Sequence, residues 1–116
     1  HSFPTRRSSD LEIDLTLRLL DYGNEKIGMI TGPTDSSHTV NRSRGHMKTL
    51  FDRKVPYNPS LTLVGDWERD SGFLLSRELI NQGVTAIFAQ NVLMALGVLD
   101  YCSLNGITVG KDIQAV

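Results

Sequence analysis

The chain has little of what characterises membrane, disulfide-stabilised or nucleic-acid-binding proteins. Its single cysteine, Cys102, excludes an internal disulfide and a multi-cysteine metal site. No apolar run approaches the ~18 residues that a membrane helix needs. The formal net charge is −1, so no strong field attracts nucleic acid or an anionic membrane. With 40% hydrophobic and 22% charged residues in a chain of 116, the composition predicts one globular domain.

The first eleven residues, His1–Leu11, are set apart from the rest of the chain. They resemble the translation of a common short-read sequencing adapter, and they lack the apolar core that a signal peptide needs. We therefore expect a non-native segment at 1–11 and a natural domain at 12–116. Because the chain does not begin with methionine, we also expect the natural protein to continue upstream.

Helical and strand patterns alternate along the remainder. Short apolar runs predict strands, and stretches with helical spacing of apolar residues predict helices. The predicted strands are 26–31, 61–64, 84–89 and 112–116, and the predicted helices are 13–22, 35–53, 70–83 and 91–104. This alternation predicts an α/β fold with a parallel sheet and helices on both of its faces.

The second predicted helix, at 35–53, carries both apolar residues and histidines. We expect its inner face to consist of four apolar side chains, Val40, Met47, Leu50 and Phe51. His38 and His46 are expected on its surface, and neither has a second metal ligand at a useful spacing, so no metal site is expected there.

Three polar or aromatic residues follow the ends of successive strands. Ligands of parallel sheets bind beyond the carboxyl ends of the strands. Arg42, Trp67 and Asn91 lie there, and together they offer a cationic fork, a stacking face and an amide for a small polyhydroxylated ring. Each also has a simpler interpretation: Arg42 as a solvated helix arginine, Trp67 as a hydrophobic plug, and Asn91 as a helix N-cap.

The sequence predicts no catalytic group, metal site or cofactor. The acid, hydroxyl and imidazole of the segment 35–38 are adjacent in sequence, so they cannot converge as a hydrolase triad must. The segment 28–32 lacks the glycine spacing of a dinucleotide-binding turn. We therefore expect a binding function, and no enzyme activity.

Five motifs in order resemble the LacI/GalR family of transcriptional repressors. They are a strand ending in Gly-Pro at 26–33, Arg-x-x-Gly at 42–45, Gly-Asp-Trp with Ser-Gly-Phe at 65–73, Asn-x-x-Met-Ala-x-Gly at 91–97, and Gly-Lys-Asp-Ile at 110–113. Val92 stands where the family has Asp, and Asn24 where it usually has His. The resemblance covers 12–116 and implies a Rossmann-like subdomain of a type I periplasmic-binding-protein-like sensor domain, truncated at both ends.

The resemblance also implies a function. A small-molecule effector, either a sugar or a sugar phosphate, would contact Arg42, Trp67, Asn91 and His38 and shift the conformation of a dimer. Operator DNA would be contacted only through an N-terminal helix-turn-helix outside this chain, in a cytoplasmic protein with no membrane partner. A sugar-binding protein of a transport system shares the fold and is the alternative.

The helix predicted at 91–104 is apolar nearly all round. A helix on one face of a sheet needs only one apolar stripe, so the surplus must be covered by something else. Neighbouring helices of the same chain could cover it. The resemblance implies instead that a second copy of the chain covers it, and we expect Leu96, Leu99 and Ser103 in a homodimer interface.

Overall fold

The computed structural model describes residues 8–24 and 26–115; the expected adapter segment therefore lies partly outside the described residues, at 1–7. The helices are α1 Ser8–Asp21, α2 Ser37–Asp52, α3 Arg69–Asn81 and α4 Val92–Leu104, and the strands are β1 Ile27–Thr31, β2 Thr62–Val64, β3 Ala86–Ala89 and β4 Gln114–Ala115. The predicted alternation is confirmed. Within the described ranges, no helix is long and apolar enough to span a membrane.

The four strands form one parallel sheet in the order β2-β1-β3-β4. The central strand β1 pairs with β2 through Met29 and Thr62, and with β3 through Ile27 and Ala86. All five residues of β1 are buried, as expected for a strand covered on both faces. Because the strands are parallel, their carboxyl ends lie along one edge of the sheet, and the loops that follow them meet there.

Each face of the sheet has its own hydrophobic core. Successive side chains of a strand point to opposite faces. Ala86 and Phe88 accordingly pack with Leu19 of α1 and Leu50 of α2, while Ile87 packs on the opposite side. That second core is completed mainly by α3 and α4, with Leu79, Met94, Val98 and Cys102. The helices thus cover the sheet in two pairs, α1 with α2 and α3 with α4.

The predicted inner face of α2 is wrong for three of its four residues. Only Leu50 is buried; Val40 and Met47 are 44% exposed, and Phe51 is 82% exposed. The side that faces α1 and the sheet instead carries small or polar residues, Thr39, Gly45, His46 and Thr49. The expectation of a surface position for His46 is wrong as well, because its side chain is buried. The Thr49 hydroxyl donates to the Gly45 carbonyl within α2, and His46 forms a hydrogen bond with Thr16 of α1.

Candidate functional site

Arg42, Trp67 and Asn91 lie at the same edge of the sheet, after β1, β2 and β3 respectively. Hydrogen bonds connect the segments that carry these three residues. Arg42 Nη1 donates to the carbonyl oxygen of Gln90, and Asn91 Nδ2 donates to the carbonyl oxygen of Trp67 at 2.8 Å. Since Gln90 and Asn91 are consecutive, the structure joins all three predicted residues into one continuous network.

Arg42 occupies the second turn of α2, where its side chain is half-buried. A guanidinium has five N–H donors, and the bond to Gln90 uses one nitrogen of the group. The remaining donors can bind an anion or hydroxyl oxygens. His38 precedes Arg42 by one helical turn and is exposed, so the two residues lie on the same side of the helix.

Trp67 has a backbone conformation that bulky residues rarely adopt. Its φ is 71°, in the left-handed region, and its half-buried indole packs over Gly32 at the end of β1. A Cβ atom at Gly32 would overlap the indole ring, so the ring can lie there only because that residue is glycine. The bond from Asn91 to the Trp67 carbonyl holds this conformation. Strained residues of this kind concentrate at functional sites.

Asn91 caps α4 and contacts Trp67 at the same time. Its Oδ1 accepts from the backbone N–H of Met94 at 2.9 Å, and its Nδ2 donates to Trp67. The interpretation as an N-cap is therefore correct, but a carboxamide has two donor protons and two acceptor lone pairs. One of each is left over for a ligand.

Two further polar residues at this edge are absent from the predicted site. Gln90 is buried at 4% exposure between β1, β3 and α2. Asp66 is exposed; the backbone N–H of Glu68 and the hydroxyl of Ser71 hold its pKa below the ordinary value. Gln90 directly follows an apolar run that predicts a buried strand, and this position in the sequence could have indicated that its side chain is buried.

Within residues 8–24 and 26–115, no group of three or more His, Cys, Asp or Glu side chains is arranged to hold a metal ion. Cys102 is buried in the core of α3 and α4, and burial raises the pKa of its thiol. Its environment is that of a small apolar residue.

An open groove of about 1240 Å³ lies along the outer side of α2, away from Trp67 and Asn91. Its apolar lining includes Val40, Met47, Phe51 and Tyr57. Arg42, Trp67 and Asn91 do not line this groove; they lie together at the sheet edge, and this group of residues is called the rim below.

The predicted dimer residues lie on the outer side of α4. Leu99 is 42% exposed, Ser103 is exposed and Leu96 is half-buried. Neighbouring helices therefore leave part of this surface uncovered. The buried residues of α4 are Met94, Gly97, Val98 and Cys102.

Residues 16–116 match the family model described as a periplasmic binding protein-like domain. Among curated proteins, the chain is 34% identical over 103 residues to the HTH-type transcriptional regulator CelR of Thermobifida fusca, and 31% identical over 103 residues to the HTH-type transcriptional repressor PurR of Haemophilus influenzae. Each alignment covers 87% of this chain, but only 30% and 31% of the relative. The chain thus spans about a third of the length of these proteins.

Solved structures agree with this similarity. A CelR–cellobiose complex superposes with a TM-score of 0.88 at 31% identity, covering 93% of this chain and 34% of that chain. A LacI-type regulator from Bacillus cereus subsp. cytotoxis gives a TM-score of 0.89 at 29% identity, covering 93% and 39%. These relatives are regulators of transcription, and this favours an effector-sensing domain of a regulator over the alternative, a sugar-binding protein of a transport system.

Proposed function

This chain belongs to the family of periplasmic binding protein-like domains, as found in LacI/GalR transcriptional regulators, and from that premise we propose that it senses a small-molecule effector for a DNA-binding protein. The observation that carries the proposal is the network that connects Arg42, Trp67 and Asn91 at one sheet edge. Carboxyl-end loops of parallel strands are where such folds bind ligands.

The proposed effector is a sugar or a sugar phosphate. The exposed part of the Trp67 indole offers an apolar surface for the C–H face of a sugar ring, and Asn91 offers the remaining donor and acceptor of its amide to ring hydroxyls. Arg42 supplies charged donors for hydroxyl or phosphate oxygens. Asp66, an exposed carboxylate at the same edge, supplies an acceptor for a sugar hydroxyl. CelR, a relative, has been solved with cellobiose.

Effector binding would act on DNA through a shift in conformation. An effector moves an equilibrium between two states only by the difference in its affinity for them. In this proposal the effector rim of the chain is closed by the rest of a cytoplasmic regulator, and α4 pairs two copies through Leu96, Leu99 and Ser103. A change in the relative orientation of the two copies would alter the spacing of their helix-turn-helix segments and so their fit to an operator.

Titration of the ¹⁵N-labelled chain, followed by NMR, tests this function. Cellobiose, glucose 6-phosphate and adenine serve as probes, and NMR is used because it also detects weak binding. We expect one of the two sugars to shift the signals of the Trp67 indole N–H and the Arg42 guanidinium. Arg42→Ala should weaken that binding about tenfold, which corresponds to ~1.4 kcal/mol.

Arg77→Ala is the matched control, because Arg77 is an exposed arginine on α3 that does not contribute to the rim. It should leave the affinity unchanged. Binding of adenine alone, or equal effects of the two arginine substitutions, would contradict the proposed site.

A further inference from the structure

Gln90 extends the pairing of β1 and β3 by one step with its side chain. The last regular partners of these strands are Ile30 and Ala89. Beyond them, the backbone N–H of Gln90 donates to the Ile30 carbonyl at 3.0 Å, and Gln90 Oε1 accepts from the backbone N–H of Gly32 at 3.1 Å. The side-chain amide thus takes the place of a backbone carbonyl and fixes the start of the loop that leads to α2.

The same side chain also reaches α2 itself. Gln90 Nε2 donates to Ser43 Oγ at 3.2 Å and lies 3.6 Å from the sulfur of Met29. The carbonyl oxygen of Gln90 accepts from Arg42 Nη1. Two consecutive residues of α2, Arg42 and Ser43, are therefore both held by this one residue of the sheet edge.

The next residue carries the connection to the other side of the rim. Asn91 donates to the Trp67 carbonyl, so the dipeptide Gln90-Asn91 lies between the cationic and the aromatic part of the site. Gln90 is nearly inaccessible to solvent. A buried polar side chain with bonds to two other elements holds them in one relative geometry.

We propose that the Gln90 side chain is a positioning group of the effector rim: its bonds to Gly32 and Ser43 fix α2 relative to the end of β3, so that Arg42 reaches the backbone carbonyl of Gln90. This inference rests on the proposed function. The physical reason is preorganisation, because an arginine whose rotamer is already fixed loses less conformational entropy when it binds a ligand. Gln90 acts through Arg42 and is not itself required to touch the effector.

The first test needs no ligand. Gln90→Met keeps the length of the side chain and the backbone carbonyl that accepts from Arg42, but it removes the bonds to Gly32 and Ser43 that fix α2 in reach of that carbonyl. In NMR spectra of the chain, we expect the Arg42 guanidinium protons to be protected from solvent exchange in the unmodified protein and to lose that protection in this variant. Unchanged Arg42 protection in Gln90→Met would overturn the proposal.

Gln82→Met is the matched control for this test. Gln82 ends α3 and bonds to Ser60, near the amino ends of the strands, so the substitution should leave Arg42 unchanged. Ser43→Ala removes only one of the bonds of Gln90, and it provides a second variant if Gln90→Met does not fold. Its expected effect on Arg42 has the same direction and is smaller.

The second test is a double-mutant cycle with cellobiose and glucose 6-phosphate as probes. Gln90→Met should weaken binding about fivefold when Arg42 is present and less than about twofold in an Arg42→Ala background. Equal losses of affinity in both backgrounds would overturn the positioning role. If neither probe binds the unmodified chain, the proposed function fails while the exchange measurement still decides the role of Gln90.

Discussion

His46 is a buried histidine with a single described polar partner. Its Nδ1 lies 3.0 Å from Thr16 Oγ1, and both residues are buried between α1 and α2. Burial disfavours the charged imidazolium and lowers the pKa of His46 from 6.5 to about 4. The His46 ring is therefore neutral in the folded state across the physiological range of pH.

The lowered pKa of His46 makes stability depend on pH. Between pH 6.5 and 4 the unfolded chain binds a proton at this histidine and the folded chain does not, so the free energy of unfolding falls as the pH falls through that window. The loss amounts to about 3 kcal/mol in total and ends below pH 4, where both states are protonated. Urea denaturation at a series of pH values measures it.

Carboxylates also titrate near pH 4, so the His46 contribution has to be isolated by comparison. His46→Gln should flatten the dependence between pH 6.5 and 4, whereas His38→Gln, at an exposed position of the same helix, should leave it in place. Identical profiles for His46→Gln and the unmodified chain between pH 6.5 and 4 would show that the pKa of His46 is not lowered in the folded state.

At the scale of elements, α3 and α4 cross at two glycines that belong to the sequence motifs. A Cβ atom on Gly97 would overlap the carbonyl oxygen of Arg69 and lie 2.6 Å from the nitrogen of Phe73. A Cβ atom on Gly72 would collide with the backbone of Met94. These motif glycines thus permit backbone contact between two helices, and their role is packing.

Gly97→Ala tests this helix crossing. The added methyl group meets backbone atoms that cannot rotate away, so α3 and α4 must separate, and we expect a loss of about 3 kcal/mol in the free energy of unfolding. Ser103→Ala on the exposed side of α4 is the control; it also raises helix propensity and should change stability by less than about 0.5 kcal/mol. Chemical denaturation measures the free energy of unfolding of both variants. An unchanged free energy of unfolding in Gly97→Ala would refute the close crossing of the two helices.

At the scale of the whole molecule, exposed apolar side chains occur on both layers of helices. On α4 and α3 they include Leu93, Leu99, Leu104 and Leu74, and on α2 they include Val40, Met47 and Phe51. Large exposed apolar surfaces often mark places where proteins contact other molecules. Of the two surfaces, that of α4 contains the predicted dimer residues.

Leu99→Glu is predicted to separate the two copies in the complete regulator. The substitution places a charge where an apolar side chain would be buried at a two-fold interface, and we expect dimer affinity to fall by roughly 3 kcal/mol, a factor of about 100. Sedimentation velocity at micromolar concentration measures the dissociation. Phe51→Glu, an equally apolar position on the opposite layer, should leave the dimer intact, and a dimer that survives Leu99→Glu would remove α4 from the interface.

The sequence by itself determined the order of elements, the parallel sheet and the edge at which the residues of the proposed site lie. Apolar runs bounded by glycine, proline and polar residues are local signals, and the alternation of strands and helices leaves few topologies. Placing Arg42, Trp67 and Asn91 at one edge follows from that alternation alone, because parallel strands end on the same side.

Only the tertiary structure decided which side of α2 faces inward and which polar groups are buried. Helical spacing identifies an apolar stripe, but the buried stripe of α2 depends on what α1 presents, and there Thr16 accommodates His46. The role of Gln90 likewise depends on Gly32 and Ser43, which lie 58 and 47 residues away in sequence. Hydrogen bonds over such separations form only once the strands are aligned, so no local pattern in the sequence encodes them.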